Sequence, residues 1–156
     1  KSGAGLVFLG VPESIYTIEA IKNDEAMPFP LPCDGDGIIS PAAIDIVLER
    51  LAKCDACLIG PGLGISDGAE KVVAAVIESS TVPLVIDADG ITAVSRNIDI
   101  LEKAKCPVIL TPHDGEFARL GGDLSAKDRL NAARDFSMEH KSVLVLKGVS
   151  HDSCHA

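Results

Sequence analysis

Short apolar runs and segments with helical periodicity alternate along this chain. The apolar runs are rich in branched residues and have the length of strands buried in a parallel sheet. They lie at 5–11, 56–60, 83–87, 107–111 and 142–147. Between them, apolar residues recur three and four positions apart, as on one face of a helix, at 40–51, 66–80 and 125–136. This alternation predicts an α/β fold with an open, mainly parallel sheet and helices on both faces.

The segment at 23–39 follows neither period. It is rich in proline, glycine and acidic residues, and it comes after a short helix predicted at 14–21. Prolines and glycines interrupt regular structure, so the sequence predicts an irregular connection here.

Composition limits the class of protein. The chain has 156 residues, of which 47% are apolar, so we predict one globular domain over 1–156. Fourteen basic and 23 acidic residues give a net charge of −9, which argues against sequence-independent binding of nucleic acid. An anionic small ligand is compatible with this charge, because it responds to local N–H groups.

The location predicted for the protein is the cytoplasm. The sequence shows no secretory leader and no apolar run near the length of about 20 residues that spans a bilayer. Its five cysteines are odd in number and scattered, which is typical of a reducing compartment. Since the chain opens on Lys1, we expect it to be part of a longer translation product.

The glycine-rich stretch at 55–67 is the strongest candidate for a binding site. Gly60, Gly62 and Gly64 follow a short apolar run, and Ser66 can cap the helix that comes next. Glycine tolerates positive φ and lets the backbone approach a ligand closely. A strand, a glycine loop and a helix N-terminus together favour an anion site. The alternative is a tight turn that binds nothing.

Polar residues also follow the later strands. Asp87 and Asp89 come after the run at 83–87, and Lys147 follows the last run. Ligands of open parallel sheets bind beyond the carboxyl ends of the strands, so these residues are expected to converge with the glycine loop. Asp87 could hold a cation or a ligand hydroxyl, while Asp89 could do the same or cap a helix. Lys147 suits a phosphate or is a surface lysine.

A Pro-bounded turn follows the run at 107–111. We interpret His113 as a ligand contact, because a neutral imidazole can donate to a ligand oxygen. Glu116 opens the next helix, and we interpret it as structural, since an acidic residue there favours the helix dipole.

Cys54 and Cys57 have the spacing of a redox or zinc half-site. No second pair accompanies them to complete a tetrahedral site, so we interpret both as structural and assign no metal ligand.

Five blocks of the sequence resemble the ATP/ADP-dependent NAD(P)H-hydrate dehydratases of the ribokinase-like superfamily. The blocks are Gly-Ala-Gly-Leu-Val at 3–7, Asp-Ala-Cys-Leu-Ile-Gly-Pro-Gly-Leu-Gly at 55–64, Leu-Val-Ile-Asp-Ala-Asp-Gly at 84–90, Leu-Thr-Pro-His-Asp-Gly-Glu-Phe-Ala-Arg-Leu at 110–120 and Val-Leu-Lys-Gly at 145–148. The resemblance covers almost the whole chain as far as Gly148.

The resemblance implies repair of hydrated NADH or NADPH. A nucleotide, ATP or ADP with Mg²⁺, phosphorylates the hydroxyl of the hydrate, and loss of phosphate restores the double bond of the ring. The implied substrate contacts are Gly60, Gly62, Gly64, Asp87, Thr111, Pro112, His113, Asp114, Gly115, Glu116 and Phe117. The implied nucleotide segment is Lys147, Gly148, Val149, Ser150 and His151. Hydrated NAD(P)H is the expected partner, with no nucleic acid or membrane, and the protein is expected to be a homo-oligomer.

The chain also departs from the family pattern. Val149, Ser150 and His151 stand where the family usually has a small residue and a threonine, and the family's later Gly-Thr-Gly-Asp motif does not occur in this sequence. We therefore assign no catalytic residue, and expect the chain to be the middle of an enzyme domain and inactive alone. Two alternatives stay open: a kinase of the same superfamily acting on a vitamin precursor or sugar, and a non-catalytic cofactor-binding chain.

Overall fold

A computed structural model describes residues 3–125 and 128–148. Strands and helices alternate along the chain, as the sequence predicts. In order they are β1 Phe8–Pro12, α1 Tyr16–Lys22, β2 Met27–Leu31, α2 Ile44–Leu51, β3 Cys57–Ile59, α3 Asp67–Ser79, β4 Leu84–Ile86, α4 Asp89–Ser95, β5 Val108–Leu110, α5 Asp114–Arg119, α6 Arg129–Glu139 and β6 Val143–Leu144. Short 3-10 turns at Glu13–Ile15, Pro41–Ala43 and Ile98–Lys103 complete the connections.

All the pairings between these strands are parallel. β3, β4, β5 and β6 form a four-stranded sheet in that order, while β1 and β2 form a separate two-stranded sheet. Each of the five predicted strands is found within a few residues of its expected bounds. The predicted α/β class with parallel strands is confirmed, but the prediction of a single sheet was wrong for the strand at 5–11, which pairs with β2 in a sheet of its own.

The prediction of an irregular connection over the whole of 23–39 was wrong, because β2 lies inside it. Its proline spacing explains how such a segment can be a strand. Met27, which pairs with Phe8 in β1, donates its N–H to the carbonyl of Val7 at 2.8 Å. Pro28 and Pro30 have no N–H, and alternation along a strand turns these positions toward the open edge.

The core lies on one face of the four-stranded sheet, under α3 and α4. Leu84, Ile86 and Leu110 are fully buried there. The opposite face carries an apolar row whose ends, Leu58 and Val143, are 63% and 54% exposed among the described residues. Burial on the helical face therefore fixes which side of each strand turns inward.

An arginine joins the small sheet to the helical layer. The guanidinium of Arg50 on α2 lies 4.7 Å from the ring centroid of Phe8 and 4.9 Å from that of Phe29. The two rings belong to β1 and β2, so cation–π contacts hold both strands against α2.

None of the helices in the described ranges is long and apolar enough to cross a membrane.

Candidate functional site

The carboxyl ends of the four-stranded sheet lie at one edge, where backbone hydrogen bonds continue past the strands. The N–H of Asp87, just after β4, donates to Ile59 at 3.1 Å, and that of Thr111, just after β5, donates to Ile86 at 3.2 Å. The N–H of Lys147 donates to Pro112 at 2.8 Å. The polar segments that follow β3, β4, β5 and β6 are therefore neighbours, as the parallel arrangement predicts.

Gly60 packs directly against the backbone that follows β4. An alanine Cβ at this position would lie 1.8 Å from the carbonyl oxygen of Asp87 and 2.7 Å from the nitrogen of Gly90. Its φ of +127° is also a conformation that favours glycine. Gly60 is thus required by the packing of the loop, whether or not a ligand binds.

Gly62 has a different environment. Its φ is +68°, and an ideal Cβ would meet none of the described atoms within 4 Å. The loop bends tightly around it, since the N–H of Leu63 donates to the carbonyl of Gly60 at 2.9 Å. Gly62 therefore faces open space at the strand ends, which is where a ligand could approach the backbone.

Asp87 and Lys147 form an ion pair across this edge. The Lys147 Nζ lies 2.6 Å from Asp87 Oδ1, and the N–H of Ala88 also donates to that oxygen at 2.9 Å. Partial burial alone would raise the pKa of Asp87, but hydrogen bonds from Lys147, Ala88 and the Thr111 hydroxyl outweigh it and hold the pKa below its ordinary value. The sequence assigned these two residues to different ligands, and the structure brings them into contact.

The charge of Asp87 should make part of the stability pH-dependent. A carboxylate whose pKa is lowered by folding stabilises the fold above its ordinary pKa of about 4, and this is lost as the pH falls through the lower pKa of the folded state. Asp87→Asn should cost about 1 kcal/mol near neutral pH, and less below about pH 4. Urea denaturation across pH measures the difference. A difference that stays constant into acid would contradict a role for the charge.

His113 is the N-cap of α5. Its Nδ1 accepts hydrogen bonds from the N–H groups of Gly115 at 3.0 Å and Glu116 at 3.3 Å. The Glu116 carboxylate accepts from the N–H of His113 at 2.9 Å, which completes a capping box. The Glu116 residue is 6% exposed, in keeping with its interpretation as structural. Because Nδ1 is an acceptor here, the neutral imidazole carries its proton on Nε2, which lies 3.4 Å from Glu116 Oε1.

Two other members of the predicted substrate segment lie in the core beneath it. Pro112 and Phe117 are fully buried, and Phe117 makes an edge-to-face contact with Phe136 at 5.3 Å between ring centroids. Any contact of Pro112 or Phe117 with a ligand would therefore be through the backbone.

Arg129 joins the segment after β6 to the start of α5, a role that sequence reasoning missed. Its Nη1 lies 2.7 Å from Asp114 Oδ1, and its Nη2 donates to the carbonyl of Lys147. Gly148 has a φ of +141°, and an added Cβ would lie 2.6 Å from Arg129 Nη2. The predicted nucleotide contacts Val149, Ser150 and His151 lie outside the described residues.

Ala88 was not assigned to the site, and Asp89 was left open between a ligand contact and helix capping. Ala88 has φ +50° and ψ −121°, an uncommon conformation for a residue with a side chain. Asp89 Oδ2 accepts a hydrogen bond from the N–H of Gly64 at 2.9 Å. Neither feature has a signature in the sequence beyond the presence of aspartate after a strand.

A depression of about 280 Å³ lies elsewhere, between α3 and α4. Its lining includes Glu70 and Arg96, which form an ion pair, and it contains none of the predicted site residues. The predicted site is instead the open surface at the strand ends. Within 3–125 and 128–148, no group of three or more His, Cys, Asp and Glu side chains could hold a metal ion.

Comparisons with known proteins agree with the resemblance found in the sequence. The family profile described as NAD(P)H-hydrate dehydratase matches residues 1–152. The bifunctional NAD(P)H-hydrate repair enzyme Nnr of Moorella thermoacetica is 41% identical over 151 residues, covering 95% of this chain and 28% of that protein. The Nnr enzyme of Salinibacter ruber is 40% identical over 152 residues, covering 96% of this chain and 28% of its own length.

Solved structures show the same relationship. A hypothetic protein from Streptococcus mutans has a TM-score of 0.75 at 26% identity, over 94% of this chain and 50% of that one. The ADP/ATP-dependent NAD(P)H-hydrate dehydratase of Bacillus subtilis, co-crystallized with ATP/Mg²⁺, has a TM-score of 0.67 at 28% identity, over 94% of this chain and 49% of that one. The chain thus spans about half the length of these solved relatives and less than a third of the curated ones.

Proposed function

The chain belongs to the NAD(P)H-hydrate dehydratase family, and from that premise we propose that it is part of an enzyme that restores hydrated NADH or NADPH at the expense of ATP or ADP. We propose further that residues 1–156 belong to one ribokinase-like domain. The extent of the match to solved relatives, 94% of the chain, supports this assignment. Homo-oligomerisation and a cytoplasmic location stay predictions.

The observation that carries the proposal is the meeting of two ligand-compatible features at one edge of the sheet. Gly62 presents its backbone to open space, and Gly60, two positions before it, packs against the carbonyl of Asp87. The Asp87 carboxylate is paired in turn with Lys147 at 2.6 Å. A loop that can approach a dinucleotide and a cation that can bind a phosphate are therefore linked through a single residue.

Each feature has a proposed role. The glycine loop, 60–64, binds the hydrated cofactor, and the exposed edge of the His113 ring contacts it. Lys147 binds a phosphate of the nucleotide as a point charge. When the ammonium group moves from Asp87 to that phosphate, the Asp87 carboxylate becomes free to accept a hydrogen bond from a hydroxyl of the substrate. Binding of the nucleotide would thus prepare the contact to the hydrate.

ATP or ADP with Mg²⁺ is the proposed cofactor set. The relative from Bacillus subtilis was co-crystallized with ATP/Mg²⁺. The exposed Lys147 ammonium next to Gly148 fits an anionic phosphate chain in charge and position. When bound, the nucleotide supplies the phosphoryl group that converts the hydroxyl of the hydrate into a leaving group. We assign no residue of this chain as a magnesium ligand.

Ligand titration of the 156-residue chain tests the proposal. NADPH hydrate is expected to shift the amide NMR signals of Gly62 and Gly64, and ATP with Mg²⁺ those of Lys147 and Gly148. Lys147→Met should weaken ATP binding about tenfold, as expected for the loss of a charge-assisted hydrogen bond. It should not weaken binding of the hydrate, because it frees the Asp87 carboxylate from its ion pair, as ATP binding is proposed to do. Nucleotide-dependent recovery of NADPH absorbance from the hydrate is not expected of this chain alone, and recovery at an ordinary enzymatic rate would contradict the prediction that the chain is inactive.

Lys53→Met is the matched control, because Lys53 is exposed and pairs with Glu49 on α2, away from the strand ends. Binding of a sugar or vitamin precursor in place of the hydrate would favour the kinase alternative. Equal ATP affinity in Lys147→Met and the parent chain would contradict the role given to Lys147.

A further inference from the structure

We propose that Asp89 is a positioning residue, which holds the glycine loop at 60–64 in the shape that receives the dinucleotide. The proposal rests on the function proposed above for that loop. The sequence left Asp89 open between ligand contact and helix capping, and the structure assigns it a third role.

The contact that carries the proposal joins two separate loops. Asp89 Oδ2 accepts the N–H of Gly64 at 2.9 Å, although the two residues are 25 positions apart. Gly64 has a φ of +82°, and a Cβ there would lie 3.2 Å from the side chain of Ile38. The far end of the glycine loop is thus held by a charge-assisted hydrogen bond, at a position where an added side chain would crowd Ile38.

The near end of the loop is held by the same segment. Gly60 packs against the carbonyl of Asp87 and the nitrogen of Gly90. Residues 87–90 therefore fix both ends of the loop, and Gly62 lies between the two fixed points with open space before it. Removal of the Asp89 carboxylate would release one end and leave the other in place.

Capping does not account for Asp89. Ala88 occupies the N-cap position of α4, and Asp89 is the first residue inside the helix. The carboxylate reaches away from its own helix to the loop after β3.

Because of the uncommon turn at Ala88, the carboxylates of Asp87 and Asp89 point in different directions. Asp87 points to Lys147, beyond β6, whereas Asp89 points to Gly64, beyond β3. With φ +50° and ψ −121°, Ala88 adopts a conformation that persists only where the surrounding contacts impose it. The tripeptide 87–89 thus contacts both the glycine loop proposed to bind the dinucleotide and Lys147, which is proposed to bind a phosphate of the nucleotide.

Asp89→Ala and Asp89→Asn test the proposal in the full 156-residue chain. The alanine variant should raise the hydrogen-exchange rate of the Gly64 amide, and should weaken binding of NADPH hydrate, each by about tenfold or more. The asparagine variant keeps an acceptor oxygen at the same place and should recover part of both losses. The melting temperature should change little in either variant, because the contact is a single hydrogen bond at the edge of the sheet.

Asp99→Asn is the matched control, since it removes the same charge from an exposed position in the 3-10 turn at 98–103. It should change neither Gly64 exchange nor affinity. If the alanine variant does not fold, Gly64 exchange and hydrate affinity are compared between Asp89→Asn and the parent chain, and equal values would overturn the positioning role.

The outcomes separate this proposal from the function on which it rests. If the parent chain binds the hydrate and Asp89→Ala binds it equally well, the positioning role is overturned and the function stands. If the parent chain binds no hydrate, the proposed function is overturned. Independently of binding, an equal hydrogen-exchange rate of the Gly64 amide in Asp89→Ala and in the parent chain would overturn the positioning role of Asp89. A loss of affinity that follows a matching loss of melting temperature, with no recovery in Asp89→Asn, would show that the residue is merely structural.

Discussion

Gly60→Ala should remove about 3–5 kcal/mol from the free energy of unfolding, a large fraction of what a domain of this size has. The new methyl carbon would lie 1.8 Å from the carbonyl oxygen of Asp87, which is backbone and cannot rotate away. The φ of +127° adds strain for any residue with a Cβ. Relief would require the ends of β3 and β4 to separate, which would break the hydrogen bond from Asp87 to Ile59.

Urea denaturation of Gly60→Ala beside Gly62→Ala measures this effect against a matched control. Both changes add one methyl group in the same loop at positive φ, but the Cβ at Gly62 would meet none of the described atoms within 4 Å. The cost at Gly62 should be about 1 kcal/mol, from backbone strain alone. Equal losses in the two variants would contradict the close packing of Gly60.

The sequence predicts most of the strands because apolar runs are a property of local composition. It fails at β2, where Pro28 and Pro30 look like interruptions. Whether proline is tolerated in a strand depends on which edge of the strand is paired, and that edge is set by a partner distant in sequence. Only the alternate spacing of the two prolines could have signalled an edge strand.

The same limit applies to the site. The rule for parallel sheets predicts that the strand ends converge, and it brings Asp87 and Lys147 to one edge. It does not say that they touch, since their contact spans 60 positions and depends on strand order. The turn at Ala88 is even harder to predict from the sequence, because a positive φ in alanine is imposed by contacts and not favoured by the residue.

The sequence predicts where His113 lies but not that it caps α5. The sequence places it at a strand end, but histidine is not among the residues usually expected at an N-cap. Its Nδ1 caps the helix, and the buried Glu116 carboxylate completes the capping box by accepting from the N–H of His113. The predicted ligand contact of His113 stays a prediction, since its Nδ1 caps α5 and its Nε2 lies 3.4 Å from Glu116 Oε1.

Gly62→Asn should weaken binding of NADPH hydrate by about tenfold to a hundredfold while the protein stays folded. Asparagine tolerates the left-handed conformation that a φ of +68° imposes, whereas valine would add strain there and mix the two effects. The cost in unfolding free energy should therefore stay near 1 kcal/mol or less. The added side chain extends into the open space before the loop, where the cofactor is proposed to approach the backbone.

Calorimetric titration with NADPH hydrate, and separately with ATP and Mg²⁺, measures the effect. ATP affinity should not change, because the proposed nucleotide contact is Lys147, at the other end of the row of strands. Gly121→Asn is the matched control: Gly121 also has a positive φ, +95°, with none of the described atoms within 4 Å of a Cβ, but it follows α5 and lies outside the predicted site. If Gly62→Asn binds the hydrate as tightly as the parent chain, the loop only turns the chain from β3 into α3, and the cofactor binds elsewhere.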